Sequence, residues 1–194
     1  VDIVVFHPTP EPTDVPIVML GGRLLRTKGI PEFIEAAHQI KMQGIASRFV
    51  IVGEPYPDNP DSIKQEELDP WRNNGTIETW GWHDNMHSVI SQASIICLPT
   101  SYKEGLPRLL LEAGACGRPV VATNIPGCKM VVRAGENGIL IQPGNINELV
   151  ESLRTLLQDS NLRKLMGDKG REIVVNEFSV ENIIKKTIEV YNLP

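Results

Sequence analysis

Ser94-Ile95-Ile96-Cys97-Leu98-Pro99, followed by Pro107-Arg108-Leu109-Leu110-Leu111-Glu112-Ala113-Gly114-Ala115-Cys116-Gly117 and then Pro119-Val120-Val121-Ala122-Thr123, is the stretch whose reading decides the fold. Two short apolar runs, each of strand length and each bounded by proline, flank a segment that opens on Pro107 and closes on Gly117. Proline suits the first turn of a helix and glycine its stop. The segment is apolar nearly all round, which predicts a buried helix. A strand, a helical crossover and a second apolar strand make a parallel pair.

The same alternation extends outward in both directions. Upstream, strands are predicted at Pro16–Gly22, Arg48–Gly53 and Thr76–Trp80, and helices at Pro31–Gly44, 62–73 (bent at Pro70) and Asn85–Ala93. The segment from Pro55 to Pro60, with three prolines, is a loop. Downstream come a short helix at Gly127–Arg133, a last strand at Gly138–Ile141, and helices at Asn145–Gln158, Asn161–Asn176 and Val180–Tyr191, with Ser179 as a cap. Six short apolar strands separated by helices imply a doubly wound α/β sheet, mostly parallel and covered on both faces, with extra C-terminal helices. On such sheets ligands bind beyond the carboxyl ends of the strands, where strand order reverses.

Composition narrows the classes. The chain has 194 residues, 19 of them basic and 24 acidic, for a net charge of −5; 41% of residues are hydrophobic and 22% charged. That is a globular balance and excludes a disordered or fibrous chain. Net acidity argues against nucleic acid as a partner. Three cysteines, Cys97, Cys116 and Cys128, lie in apolar or helical stretches, which predicts reduced thiols and a cytoplasmic setting. The run at Ile95–Leu98 is far short of the roughly 20 residues of a membrane span, and no secretory signal is seen. A start at Val1 suggests a piece of something longer, with residues 1–15 as the remnant of an interdomain linker and 16–194 as the domain.

Two loops carry candidate chemistry. In Gly21-Gly22-Arg23-Leu24-Leu25-Arg26-Thr27-Lys28-Gly29, glycines after the first strand let the backbone approach a ligand, Arg23 can fork onto phosphate oxygens and Lys28 adds a point charge. This is neither a Walker loop nor a GxGxxG fingerprint. The plainer alternative is a glycine turn followed by solvated basic residues. In Glu104-Gly105-Leu106-Pro107-Arg108, the carboxylate of Glu104 precedes the buried helix, and Glu112 lies in its middle. A carboxylate can accept two hydrogen bonds from adjacent sugar hydroxyls, and a helix N-terminus favours phosphate. Alternatively, Glu104 is a plain loop carboxylate and Glu112 an i,i+4 partner of Arg108, worth only about 0.2–0.5 kcal/mol on a surface helix.

Glu104-Gly105-Leu106-Pro107-Arg108, with Leu111-Glu112-Ala113 and Ala115 to Thr123, resembles the signature of family 4 retaining glycosyltransferases, the glycosyl transferases group 1. Gly22-Arg23-Leu24 with Lys28-Gly29, Val52-Gly53 and Gly138–Pro143 are similar to further segments of that family, and Asn59-Pro60 to its members that extend lipid-linked sugars for capsule or surface polysaccharide. The resemblance implies the C-terminal, Rossmann-like half of a GT-B enzyme. It implies transfer of a sugar, with retention, from a nucleotide-diphospho-sugar to a hydroxyl acceptor, lipid-linked or polysaccharide. The donor is a UDP-sugar first and a GDP-sugar second, with no other cofactor and no metal. Arg23 and Lys28 then neutralise the diphosphate and Glu104 holds the donor sugar, these three as the catalytic set. Glu112 binds ribose, with Gly22 in the diphosphate loop, Gly53, Trp82 and His83 about the base, and Gly105, Leu106 and Arg108 near the phosphates. The implied partners are the N-terminal domain of the same polypeptide, which supplies the acceptor side, and an acceptor at the inner face of the membrane. Two departures stand out: Pro107, which lacks an N–H where many members have glycine, and Gly114, which costs roughly 1 kcal/mol of helix propensity.

Other readings draw on the same residues. Glu54 at the end of the second strand suits a nicotinamide-dependent oxidoreductase, but the glycine fingerprint is missing; a non-catalytic nucleotide-binding module is the other alternative. His83-Asp84-Asn85-Met86-His87 imitates a zinc motif without its glutamate base. Trp71, Trp80 and Trp82 are core or rim residues, and the charges from Arg163 to Glu172 make a solvated helix face.

Overall fold

A computed structural model describes residues 1–12 and 14–191. Residue 13 of the expected linker and residues 192–194 of the expected domain lie outside the described residues. Six parallel strands run β1 (Ile17–Gly21), β2 (Arg48–Val52), β3 (Glu78–Gly81), β4 (Ile95–Leu98), β5 (Val120–Thr123) and β6 (Gly138–Ile141). Eight α-helices accompany them: α1 (Ile30–Met42), α2 (Gln65–Asn73), α3 (Met86–Ile90), α4 (Arg108–Ala115), α5 (Pro126–Val131), α6 (Ile146–Gln158), α7 (Ser160–Ile173) and α8 (Val180–Tyr191). The sheet order is β3-β2-β1-β4-β5-β6, with Ile17 opposite Arg48 across β1 and β2, and Val18 opposite Ile95 across β1 and β4.

The pleat explains two cores. Successive strand residues point to opposite faces. Val18 and Leu20 of β1, with Ile51, Cys97 and Val121, pack under α1, α2 and α6. Ile17 and Met19, with Val50, Ile96 and Ala122, pack under α3, α4 and α5. Both faces are therefore covered, which is why the strands read as continuous apolar runs.

The departures from the predicted elements have local causes. α2 starts at Gln65 because Ser62 forms a bridge to Leu25 and the Ile63 N–H donates to the Leu24 carbonyl. β3 starts late because the Thr76 and Ile77 N–H groups both donate to Trp71 O. Arg26–Lys28 forms a 3₁₀ turn that no periodicity announces. The last predicted helical stretch before Ser179 divides into α7 and a π-turn at Val174–Phe178. Asn85, Asn145 and Asp159 cap α3, α6 and α7 with their side chains.

The segment expected as a linker is bound down. The Val1 ammonium donates to Phe178 O at 2.6 Å. Arg171 donates to Ile3 O and Phe6 O, Arg118 to Thr9 O and Pro10 O, and Arg163 pairs with Glu11. Arg118 and Arg163 are buried. This corrects the reading of residues 163–172 as one solvated face: Arg163 sits under the N-terminal segment, and Arg171 spans from it to Ala115 O. Carbonyls that the irregular segment leaves unpaired need donors when covered, and the long guanidinium forks supply them.

α4 and α7 cross at glycines. A Cβ on Gly114 would stand 2.8 Å from Val174 Cγ2 and 3.2 Å from Gly170 O. The helix-propensity cost of Gly114 is thus the condition of close packing. Among the described residues no helix is long and apolar enough to cross a membrane.

Candidate functional site

A cleft of about 650 Å³ opens at the carboxyl ends of β1, β2 and β3, against the start of α4. Its place follows from topology. The chain leaves β1 for α1 on one face and β4 for α4 on the other, so their loops diverge and leave a crevice between them.

Backbone hydrogen bonds lash the strand ends together. The Gly22 N–H donates to Val52 O at 2.9 Å and the Gly53 N–H to Gly81 O at 2.7 Å. Gly53 has φ +137°, and a Cβ there would collide with Gly22 O. Only glycine lets the two loops approach this closely. Gly22, by contrast, faces open space.

Seven of the predicted site residues line this cleft: Gly22, Arg23, Gly53, Trp82, His83, Arg108 and Glu112. Arg23 is exposed and its guanidinium lies over the Tyr56 ring, 5.5 Å from the centroid. Trp82, 60% exposed, presents an unpacked indole to the rim, whereas Trp71 and Trp80 pack against the two cores. Glu112 sits one turn inside α4 with its side chain 9% exposed, and Oε1 accepts from Arg108 Nη2 at 3.1 Å. Burial pushes the Glu112 carboxyl above its ordinary range, only partly offset by the Arg108 charge. Both readings of Glu112 therefore coexist: it has the i,i+4 partner and it lines the cleft. That partner is 86% exposed, so the pair is weak. Pro107 caps α4 without a side-chain bond. Among the described residues the N–H groups of Arg108 and Leu109 meet no acceptor, the ordinary condition of a helix start.

The other four lie beside the cleft. Lys28 donates to Glu104 Oε1, so two residues of the expected catalytic set are paired with each other. Both side chains are nearly buried. The Lys28 ammonium also lies 5.5 Å from the Tyr102 ring centroid. Gly105 and Leu106 form an exposed shoulder between this pair and α4. The shoulder rests on α5: a Cβ on Gly127 would run into Glu104 O and Gly105 O. Local pattern alone does not reveal this close approach at Gly127, because Gly105 is 22 residues away in sequence.

Sequence reasoning missed Tyr56, Asp84, Met86 and Leu109 as lining residues. The Pro55–Pro60 loop offered a signal in Tyr56, an aromatic among prolines. His83 and His87 go separate ways: His83 lines the cleft, and His87 lies against His7 with the rings tilted and their centroids 4.3 Å apart. Among the described residues no three His, Cys, Asp or Glu side chains gather as a metal would require.

Comparison with known proteins gives the family and matches the fold. The chain is 34% identical over 177 residues to an N,N'-diacetylbacillosaminyl-diphospho-undecaprenol alpha-1,3-N-acetylgalactosaminyltransferase of Campylobacter jejuni, covering 91% of this chain and 44% of that protein. It is 31% identical to an alpha-D-kanosaminyltransferase of Streptomyces kanamyceticus, covering 86% and 43%. The chain thus spans less than half the length of these curated relatives. In fold it matches HepE of Anabaena, solved in complex with UDP, with a TM-score of 0.87 at 22% identity over 99% of this chain and 55% of that one. It also matches the C-terminal domain of a glycosyl transferase group 1 family protein, LpcC, from Francisella tularensis, with a TM-score of 0.77 at 26% identity over 93% of this chain and 99% of that one. The sheet is the Rossmann-like half found in GT-B glycosyltransferases, and the nicotinamide and plain nucleotide-module alternatives gain no support. The family model for glycosyl transferases group 1 matches residues 5–173, and the chain belongs to that family.

Proposed function

We propose that this chain is the donor-binding half of a retaining glycosyltransferase that moves a sugar from a nucleotide-diphospho-sugar to a hydroxyl acceptor. The observation that carries it is the convergence on one cleft of Arg23, the open start of α4 and the buried carboxylate of Glu112. In this arrangement Gly53, Trp82 and His83 border the base, and Glu112 accepts from the ribose hydroxyls. Gly22, Arg23 and the N–H groups at Arg108 and Leu109 meet the diphosphate.

As the glycosidic bond breaks, charge builds on the leaving diphosphate. Preorganised donors stabilise it, and the loss of one costs about 2.7–4 kcal/mol in the barrier. Lys28 contributes through its remaining N–H groups while held by Glu104, whose second oxygen is available to sugar hydroxyls. Leu106 and Gly105 form the shoulder on the sugar side. The oxocarbenium-like transition state is the ordinary one of glycosyl chemistry, and the proposal needs no metal to hold the diphosphate.

UDP in the Anabaena relative supports a uridine donor first, with GDP as the second. The name of the Campylobacter relative supports a lipid-linked acceptor, met by the remaining half of the longer polypeptide at the cytoplasmic face of the membrane. Residues 1–15 are placed in this scheme as the crossing between halves, and 16–194 as the donor domain.

Isothermal titration of the chain with UDP and GDP tests the site. Arg23→Ala and Glu112→Gln should each weaken the preferred diphosphate at least tenfold. Parent-like binding by both variants removes the assignment.

A further inference from the structure

The segment from Pro55 to Ile63 has no role in the scheme above, yet it touches one cation of the proposed phosphate site, Arg23, and the loop residues that lead into the other, Lys28. Its tip is a closed turn: the Tyr56 N–H donates to Ser62 Oγ at 2.8 Å, the Asn59 N–H to Tyr56 O at 2.9 Å, and the Asp61 N–H to Asn59 Oδ1 at 2.9 Å. Three prolines remove backbone freedom from it. Tyr56 is 47% exposed, so core packing does not explain a tyrosine here. What its ring does is lie under the Arg23 guanidinium.

The other end of the turn grips the cationic loop. Asp61 Oδ2 accepts from the Thr27 N–H at 3.0 Å and also from the Thr27 hydroxyl. The Asp61 carbonyl accepts from the Arg26 N–H at 2.9 Å. Thr27 in turn is a hub. Its carbonyl accepts from the Ser101 N–H at 2.9 Å, the Tyr102 N–H at 3.1 Å and Thr100 Oγ1 at 2.8 Å. Lys28 follows Thr27 directly, and Glu104 follows Tyr102 by two residues. The bonds from Asp61 through Thr27 therefore set the backbone on both sides of the Lys28–Glu104 pair.

We propose that the 56–62 turn positions the phosphate-gripping cations: Tyr56 holds the Arg23 side chain over the cleft, and Asp61, acting through Thr27, holds Lys28 and Glu104 in register. This rests on the donor-site reading above. The physical gain is preorganisation. An exposed arginine loses rotamer freedom when it clamps a phosphate, and a ring beneath it removes part of that loss beforehand.

The test compares binding of UDP, or GDP if that is preferred, with binding of the matching nucleoside. Tyr56→Leu should weaken the diphosphate about two- to fivefold, leave the nucleoside unchanged and leave the melting temperature near the parent's. Tyr56→Phe, which keeps the ring, should match the parent. Asp61→Ala should weaken the diphosphate about tenfold and speed hydrogen exchange at the Ser101 and Tyr102 amides, and Asp61→Asn, which keeps an acceptor, should recover most of both. If Asp61→Ala does not fold, Thr27→Val, which removes the hydroxyl that donates to Asp61, decides in its place by a smaller loss of diphosphate affinity in the same direction.

Parent-like diphosphate binding in Tyr56→Leu and in the deciding variant, Asp61→Ala or Thr27→Val, overturns the positioning role and leaves the donor site standing. Equal losses for diphosphate and nucleoside overturn it too, because the turn would then merely shape the pocket. A parent chain that binds neither diphosphate removes the donor site and the positioning role together.

Discussion

Lys28 and Glu104, 76 residues apart in sequence, form an ion pair at the end of β4, with their side chains only 16% and 11% exposed. Thr100 Oγ1 stands 3.4 Å from the same Glu104 oxygen. Because neither partner is well solvated, removing one leaves the other charge in a poor environment. Lys28→Ala and Glu104→Ala should each cost about 2 kcal/mol, and the double variant much less than their sum, for a coupling of about 1.5–3 kcal/mol. Urea unfolding of the four chains measures it. Strictly additive losses would show that the pair does not form in solution.

Glu112 should act against stability while serving binding. Burial holds its carboxyl above the ordinary range, so the folded chain keeps this proton to higher pH than the unfolded chain does. Stability from this group is thus greatest at low pH and declines as pH rises through the ordinary carboxylate range toward the folded value. Glu112→Gln should raise the melting temperature at pH 8 and leave it nearly unchanged at pH 4. A melting temperature at pH 8 no higher than the parent's would mean that Arg108 compensates the burial fully.

Gly127→Ala should disturb the site from a distance. Its new methyl group would press on the carbonyls of Glu104 and Gly105. Overpacking of this kind costs about 1–3 kcal/mol, and the displaced shoulder should also weaken donor binding. Calorimetry of unfolding and of UDP binding reads both effects. Unchanged affinity at reduced stability would show that the 104–105 backbone does not contribute to the site.

The three cysteines should be inert in the folded chain. Cys97, Cys116 and Cys128 are buried free thiols. Desolvation pushes Cys116 and Cys128 up to about 12 and Cys97 further still. A colorimetric thiol reagent at pH 8 should find none before denaturant and three after. Rapid labelling of a folded thiol would place it nearer the surface than the structure does.

Much of this protein is legible one segment at a time. Pro107 and Gly117 bracket α4, Asn145 and Asn85 announce the starts of α6 and α3, and the run Gly138–Ile141 is β6 to the residue. The alternation of such segments already implies a site beyond the strand ends, and Gly22, Arg23, Gly53, Arg108 and Glu112 are found at one; that the crevice opens between the β1 and β4 loops follows from the sheet order. The 3₁₀ turn at Arg26–Lys28, closed by its own bonds from Lys28 N–H to Leu25 O and Gly29 N–H to Arg26 O, escaped because it is too short for periodicity to show and its further anchors, Asp61 and Thr100, are distant in sequence. Arg163 read as solvated because its charge pattern matches an exposed face, and nothing within helical reach of it shows Glu11 lying on top.

Periodicity and turn chemistry act over a few residues, so the amino-acid order alone determined the element sequence, the parallel sheet and the strand ends from which a ligand site must be built. Partnership across tens of residues depends on how loops fold over one another. Only the tertiary structure decided that Lys28 is bound to Glu104, that Tyr56 lies beneath Arg23, and that three arginines fasten the first eleven residues to the domain. Each of these is a charge or donor answering a group that the chain brings near only once both cores have closed.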